Sequence, residues 1–222
     1  MLQPSTLKFL RSLAKNNNKP WFDAHRDEYL EAKKDFENFV SKIIKETAKF
    51  DPDIKDLQIK DCVFRINRDI RFSKNKTPYK TNMGASFDRG GKKSIYAGYY
   101  FHAEPGGKSF VGGGIWMPMA PELKKIRQEI DYGFDEFKSI VGARSFVSEY
   151  KELEGSPDVK LNNLPRGYDK ENPAGEYLKF KSLIALKYLP DEDLTNKKLA
   201  DKTIKAFKAL MPLVKFINKA LE

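Results

Sequence analysis

Two groups of residues have the types and spacing to do chemistry. The first is a run of cations. Nine basic residues fall within residues 65–93 against two acidic ones, Asp69 and Asp88, a balance of +7 that makes up most of the chain's formal +10. Charges packed this closely repel one another, and an anion relieves the repulsion. Within the run, Arg65, Asn67, Asp69 and Arg71 alternate with Phe64, Ile66, Ile70 and Phe72, the period of a half-buried strand. Its polar face offers guanidinium forks for bidentate contact with phosphate or carboxylate. Arg68 falls in the apolar phase, so it needs a partner, either Asp61, Asp69, a distant carboxylate or a ligand. The loop of residues 73–81 then adds Lys74, Lys76 and Lys80 as point charges, three hydroxyls, and Tyr79 as a ring on which a base could stack.

The second group is acid–base. On a strand expected over residues 95–104, Ile95, Ala97, Tyr99 and Phe101 read as the core face, which leaves Tyr96, Gly98, Tyr100, His102 and Glu104 opposite. Asn82, Gly84 and Ser86 share that second face on the strand before it. Asp69, His102 and Glu104 are then the clustered candidates for general acid–base work, with the arginines stabilising developing negative charge. The ligand-binding candidates are Arg65, Asn67, Arg68, Arg71, Lys76, Tyr79, Lys80 and Tyr100. A polar strand face is also what any antiparallel sheet shows to water.

Other chemistries are poorly supplied. The chain has two histidines and one cysteine, Cys62, too few nitrogen and sulfur donors for a zinc or iron site. No metal or other cofactor is expected, beyond magnesium carried by a bound phosphate. Gly107-Lys108-Ser109 ends like a P-loop, but His102 stands at the earlier glycine position and a strand follows instead of a helix. Gly112-Gly113-Gly114 lies inside a strand pattern, which suits a bulge or close packing better than a dinucleotide fingerprint.

The elements that must position these residues are legible in outline. Ser5 or Thr6 is placed to cap a helix carrying Leu7, Leu10 and Leu13, ended by Asn16-Asn17-Asn18. Pro20 opens a second, long helix whose stripe runs from Phe22 through Phe36, Phe39 and Ile43 to Phe50. Four strands follow, over residues 60–72, 82–87, 95–104 and 110–117, with links short enough for an antiparallel meander. Helical spacing returns from Pro121 to Val141. Residues 142–173 read as irregular, residues 178–189 fit helix or strand, and a last helix from about Leu194 is bent or broken at Pro212. The fold class is α+β, one domain over residues 1–222, with helices before and after the meander packing on one face of the sheet.

At 222 residues with 40% hydrophobic content the chain is long and apolar enough for a proper core. No apolar run suits a membrane span or a signal peptide, and a lone cysteine favours a reducing compartment. A cytoplasmic location, with no membrane partner, is the expectation.

Several runs in order carry a resemblance: Asn16-Asn17 with Pro20-Trp21-Phe22, residues 65–74, Thr77-Pro78-Tyr79-Lys80-Thr81, residues 112–116, Ile126-Arg127 with Ile130, and residues 164–169. Together they resemble a widespread bacterial family of domains of unknown function, numbered 2461. The resemblance spans nearly the whole chain. It implies a single domain and no activity, so it assigns no catalytic residue.

Three functions fit these observations. The first is an anion-binding protein whose basic face and loop, residues 65–93, hold a phosphate-containing small molecule or nucleic acid. The second is an enzyme acting on a small phosphorylated or carboxylated substrate through Asp69, His102 and Glu104. The third is a protein-interaction domain without catalysis, its basic face meeting an acidic partner.

Overall fold

A computed structural model describes residues 1–222. Helix α1 (Pro4–Lys15) buries Leu7, Phe9, Leu10 and Leu13. Its N-cap is Gln3 and not Ser5 or Thr6; Thr6 lies inside the helix, where its Oγ1 donates to Asp35 Oδ2 at 2.6 Å. The long helix expected from Pro20 is two, α2 (Lys19–Ala24) and α3 (Arg26–Thr47). The break falls at His25, whose ring stacks on Trp21 at 4.0 Å while Nδ1 donates to the Trp21 carbonyl at 2.8 Å. A side chain that closes off a C-terminal carbonyl in this way ends a helix. A turn of 3₁₀ helix at Pro52–Ile54 and the short α4 (Ile59–Cys62) lead to the sheet.

The strands are β1 (Met83–Asp88), β2 (Gly98–Ala103), β3 (Ser109–Ile115) and, far later in the chain, β4 (Leu183–Leu189). They pair antiparallel in the order β1-β2-β3-β4. Between β3 and β4 run α5 (Ala120–Tyr132), α6 (Phe134–Val141), α7 (Arg144–Tyr150) and α8 (Gly175–Leu178). After β4 come α9 (Asp191–Leu194) and α10 (Leu199–Leu221), which passes through Pro212 unbroken. Buried Leu210, Leu213, Val214 and Ile217 on either side of that proline hold the helix together, so packing outweighs the roughly 3 kcal/mol that proline costs a helix interior.

The meander has four strands, but not the expected four. Residues 60–72 form no strand. Beyond α4 the chain touches the edge of β1 only at Val63 and Phe64, where Phe64 N–H donates to Gly84 O at 3.0 Å. It then folds against itself, with Lys80 N–H donating to Ile66 O at 2.8 Å and Arg68 N–H to Pro78 O at 2.9 Å. The alternation read there is that of an extended chain whose apolar positions find little to cover: Ile66 is buried, yet Phe72 is 94% exposed. The fourth strand is β4, in the segment that fitted either helix or strand.

One face of the sheet is covered. Helix α3 packs Phe39 on Phe101 at 4.7 Å, and α10 packs Phe207 on Tyr99 at 4.7 Å and on Phe87 at 5.5 Å. Buried aromatics of this size contribute about 2–3 kcal/mol each from area alone. Three polar side chains on this side are closed into bonds. Tyr99 Oη donates to Asp51 Oδ2 at 2.7 Å, and Lys215 Nζ spans Asp51 and Asp53 at 2.7 Å each. Asn218, in the last turn of α10, accepts from Ala97 N–H at 2.7 Å and donates to Ala97 O at 3.1 Å, pinning the helix end to the residue before β2. No helix of the protein is long and apolar enough to cross a membrane.

Candidate functional site

The other face is free, and strand register decides what stands on it. Three cross-strand rows run from β1 to β4: Gly84, His102, Phe110 and Tyr188; then Ser86, Tyr100, Gly112 and Leu186; then Asp88, Gly98, Gly114 and Ile184. At Gly98, Gly112 and Gly114 no side chain rises from the sheet. The floor there is backbone, and above it opens a cleft of about 900 Å³ whose walls include Ile95, Tyr96, Tyr100, Trp116, Met119 and Leu186. Methyl groups added at Gly112 and Gly114 would overlap the carbonyls of Ala185 and Leu183 on β4, so these positions also let β3 and β4 pair closely.

Asp88 is the sharpest group in the cleft. It ends β1 opposite Gly98, and its carboxylate leans across that glycine, occupying the space a Gly98 side chain would need. Its only hydrogen-bond donor is Ser86 Oγ, 2.8 Å from Oδ1 and 2.7 Å from Oδ2. None of the protein's ion pairs includes it. Burial, only partly opposed by Ser86, pushes its pKa up to about 7. A carboxyl in this state exchanges its proton at neutral pH and has lone pairs to spare.

The aromatic side is held more firmly. The His102 ring lies parallel to Phe110 at 4.6 Å, and Nε2 stands 3.0 Å from Glu104 Oε2. Burial lowers the His102 pKa, against the opposing pull of Glu104, so the ring is neutral at pH 7 and Nε2–H donates to the carboxylate. Glu104 also accepts from Thr81 Oγ1 at 3.2 Å. The Tyr100 phenol extends over Gly84, where a side chain would collide with it, and burial raises its pKa to about 12.

Against this site the sequence candidates divide. Tyr100 and His102 line the cleft, with Glu104 bonded to His102. Asp69 is elsewhere, exposed and gripped by Arg71 at 2.7 Å, so it does not join His102 and Glu104 as an acid–base cluster. Arg71 is thereby neutralised. Lys76 Nζ donates to the Ile70 carbonyl at 3.0 Å. Arg68 has no carboxylate partner; its guanidinium bonds Thr77 O at 3.1 Å, Thr77 Oγ1 and, at 3.4 Å, Ser73 Oγ. Tyr79 is 6% exposed and stacked on Phe22 at 3.9 Å, so its ring is not open to a base. Asn67 is exposed in the bridge to Tyr79, and Lys80 lies over the Phe64 ring at 5.3 Å.

Arg65 has a different setting. It lines a second groove of about 710 Å³ between α3, α4 and the extended residues 63–66, together with Lys33, Lys60, Lys92 and Lys93. The one acidic residue there is Glu37, 3.6 Å from Lys33. Lys92 is bound to the carbonyls of Lys60 and Val63, whereas Lys60, Arg65 and Lys93 form no ion pair. Phe64, Lys92 and Lys93 line both hollows, so the basic groove adjoins the glycine-floored cleft. Sequence reasoning missed Asp88 by reading Asp88-Arg89-Gly90-Gly91 as a turn; the parity of Gly84 and Ser86, carried two residues on, points to it.

No three of the protein's His, Cys, Asp and Glu side chains converge as metal ligands. No curated protein and no solved structure matched the chain. Residues 5–216 match a family described as "Conserved hypothetical protein (DUF2461)". The match covers nearly all of the α+β fold described above, and the chain belongs to that family.

Proposed function

We propose that this protein binds a small organic anion, its organic part in the glycine-floored cleft and its phosphate or carboxylate at the basic groove alongside. The observation that carries this reading is the shared wall of Phe64, Lys92 and Lys93 between an aromatic hollow and one where Lys60, Arg65 and Lys93 lack counter-charges. A concave apolar pocket with a few convergent polar groups is the usual form of a small-ligand site. Uncompensated cations beside it favour a ligand with negative charge.

Nucleic acid is the second reading, and the +7 balance of residues 65–93 favours it. What supports the small ligand over it is the fate of the loop. Arg71, Lys76 and Arg68 are occupied within the protein, and Tyr79 is buried. A strand-binding surface needs free cations and open rings.

Isothermal titration with ribose 5-phosphate, on wild type and on Arg65→Glu/Lys93→Glu, tests the proposal. Both changed residues lie at exposed positions, so the variant is expected to fold, which circular dichroism checks. Binding weakened about tenfold or more in the variant is expected for two lost charge contacts. Equal affinity, or no binding of any phosphorylated compound by wild type, overturns the reading. Salt-sensitive binding of a single-stranded oligonucleotide in preference to the sugar phosphate would move the assignment to nucleic acid.

A further inference from the structure

The proposal above leaves open what kind of organic group enters the cleft, and three features restrict it. The floor has no side chains of its own over much of its area, because Gly98 and Gly114 are register neighbours and Gly112 stands in the adjoining row, with the Asp88 carboxylate leaning in over Gly98. A planar ring can approach such a backbone surface to contact distance, where a puckered or branched group cannot. Tyr96, Tyr100 and Trp116 stand around it, offering ring faces and edges to an aromatic ligand. At the β1 side of this floor lies the Asp88 carboxylate, with Ser86 as its single donor.

An ionised carboxylate has about four acceptor sites on two oxygens and no donor. Ser86 satisfies one of them. A ligand phosphate or carboxylate at this point would be repelled, and an aliphatic group would leave the carboxylate without a partner. The complement is a pair of parallel N–H donors spaced like those of a guanidinium, which a carboxylate accepts in a bidentate contact.

Resting on the small-anion reading, we infer that the cleft selects a phosphorylated planar heterocycle with two adjacent N–H donors, a guanine-type edge, and that Asp88 reads that edge. The heterocycle lies on the glycine floor with its donor edge towards β1. Its phosphate reaches past Phe64 to Lys93 and Arg65. Asp88 is a specificity residue here; no bond in the ligand is made or broken.

Calorimetric titration of the full chain with guanosine, inosine and adenosine monophosphates, and with ribose 5-phosphate, tests the inference at about pH 8, where Asp88 is ionised. Wild type is expected to bind guanosine monophosphate about tenfold or more tightly than inosine monophosphate, which lacks the exocyclic amino donor. Adenosine monophosphate, whose edge pairs a donor with an acceptor, is expected to bind no better than inosine monophosphate. This ligand series needs no variant. Asp88→Asn replaces one acceptor with a donor, and it is expected to erase the guanosine preference, bringing guanosine monophosphate to within about twofold of inosine monophosphate.

Equal binding of the three nucleotides by wild type, or a preference that survives in Asp88→Asn, overturns the inference and leaves the anion site standing. Ribose 5-phosphate affinity that is unchanged by Arg65→Glu/Lys93→Glu overturns the reading beneath it instead. Failure of wild type to bind all four phosphates overturns both.

Discussion

The two faces of the sheet are made by the same strands and differ in how their polar groups are finished. On the covered face Tyr99 sits between Asp51 and Phe207, with Lys215 completing the carboxylate, and Asn218 takes both backbone groups of Ala97. Each bond joins elements far apart in sequence, and removing one partner leaves the other buried and unsatisfied. On the free face Asp88 has one hydroxyl for company, and none of the protein's hydrogen bonds ends at the Tyr100 phenol. The covered face spends its polar groups on the fold. The free face keeps them available, over a floor from which side chains are missing.

The largest expected consequence is in stability. Phe207→Ala removes a fully buried ring that contacts both Tyr99 and Phe87, and about 3–5 kcal/mol should go with it. Phe110→Ala, the matched change on the free face, removes a partly exposed ring stacked on His102. It is expected to cost about 1 kcal/mol. Urea unfolding of both variants measures the contrast. Similar losses would mean that the free face is a second core and not an open site.

A middle-sized effect follows from Asp88. Its carboxyl is raised from 3.8 to about 7 in the folded protein, so between about pH 4 and pH 7 the native state holds a proton that the unfolded chain has released. Stability from this group is therefore intact at low pH and falls as pH rises through that window, the penalty being complete above it. Asp88→Asn cannot ionise. At about pH 8 it should be more stable than wild type by on the order of 2 kcal/mol, after discounting for partial exposure, and the advantage should vanish towards about pH 4. Unfolding curves across pH would sharpen the comparison of the faces. A difference that stays constant with pH would mean that the carboxyl is solvated like any surface acid.

How much of this was legible follows from range. Helix α1 and the core parity of Ala97, Tyr99 and Phe101 show in sequence because apolar spacing is a local signal, whereas Ile95, read on the same face, is 52% exposed because β2 starts only at Gly98; the α+β class follows from the order of such segments. The strand expected over residues 60–72 fails because alternation reports an extended backbone, while a strand also needs a neighbour; only Val63 and Phe64 reach one. Membership of β4 in the sheet depends on pairing with β3 across four intervening helices, which no local pattern encodes. Tyr79 looked available for the same reason, since Phe22, the ring that covers it, lies far away in sequence. Asp88 was obscured by genuine turn chemistry: Gly91 N–H donates to Asp88 O at 2.7 Å and Gly90 and Gly91 take positive φ, 82° and 88°, so Asp88 opens the turn while it also ends β1.

His102 gives the smallest and most local test of the contrast between the faces. Its ring is on the free face, yet Phe110 and Glu104 hold it much as the covered face holds its own polar groups. Burial lowers its pKa, Glu104 raises it, and the Lys80 ammonium lowers it. With two histidines in the chain, an NMR titration resolves the imidazoles, and His102→Gln assigns the signal. The His102 midpoint is expected below the ordinary value of about 6.5. Glu104→Gln should move it lower still, and Lys80→Met should move it up. The sign for stability is opposite to that of Asp88. The folded ring resists a proton that the unfolded chain accepts, so this contribution is lost as pH falls below about 6.5. A midpoint at that value and indifferent to Glu104→Gln would place His102 in open solvent and make the whole free face, not Asp88 alone, the unfinished side of the sheet.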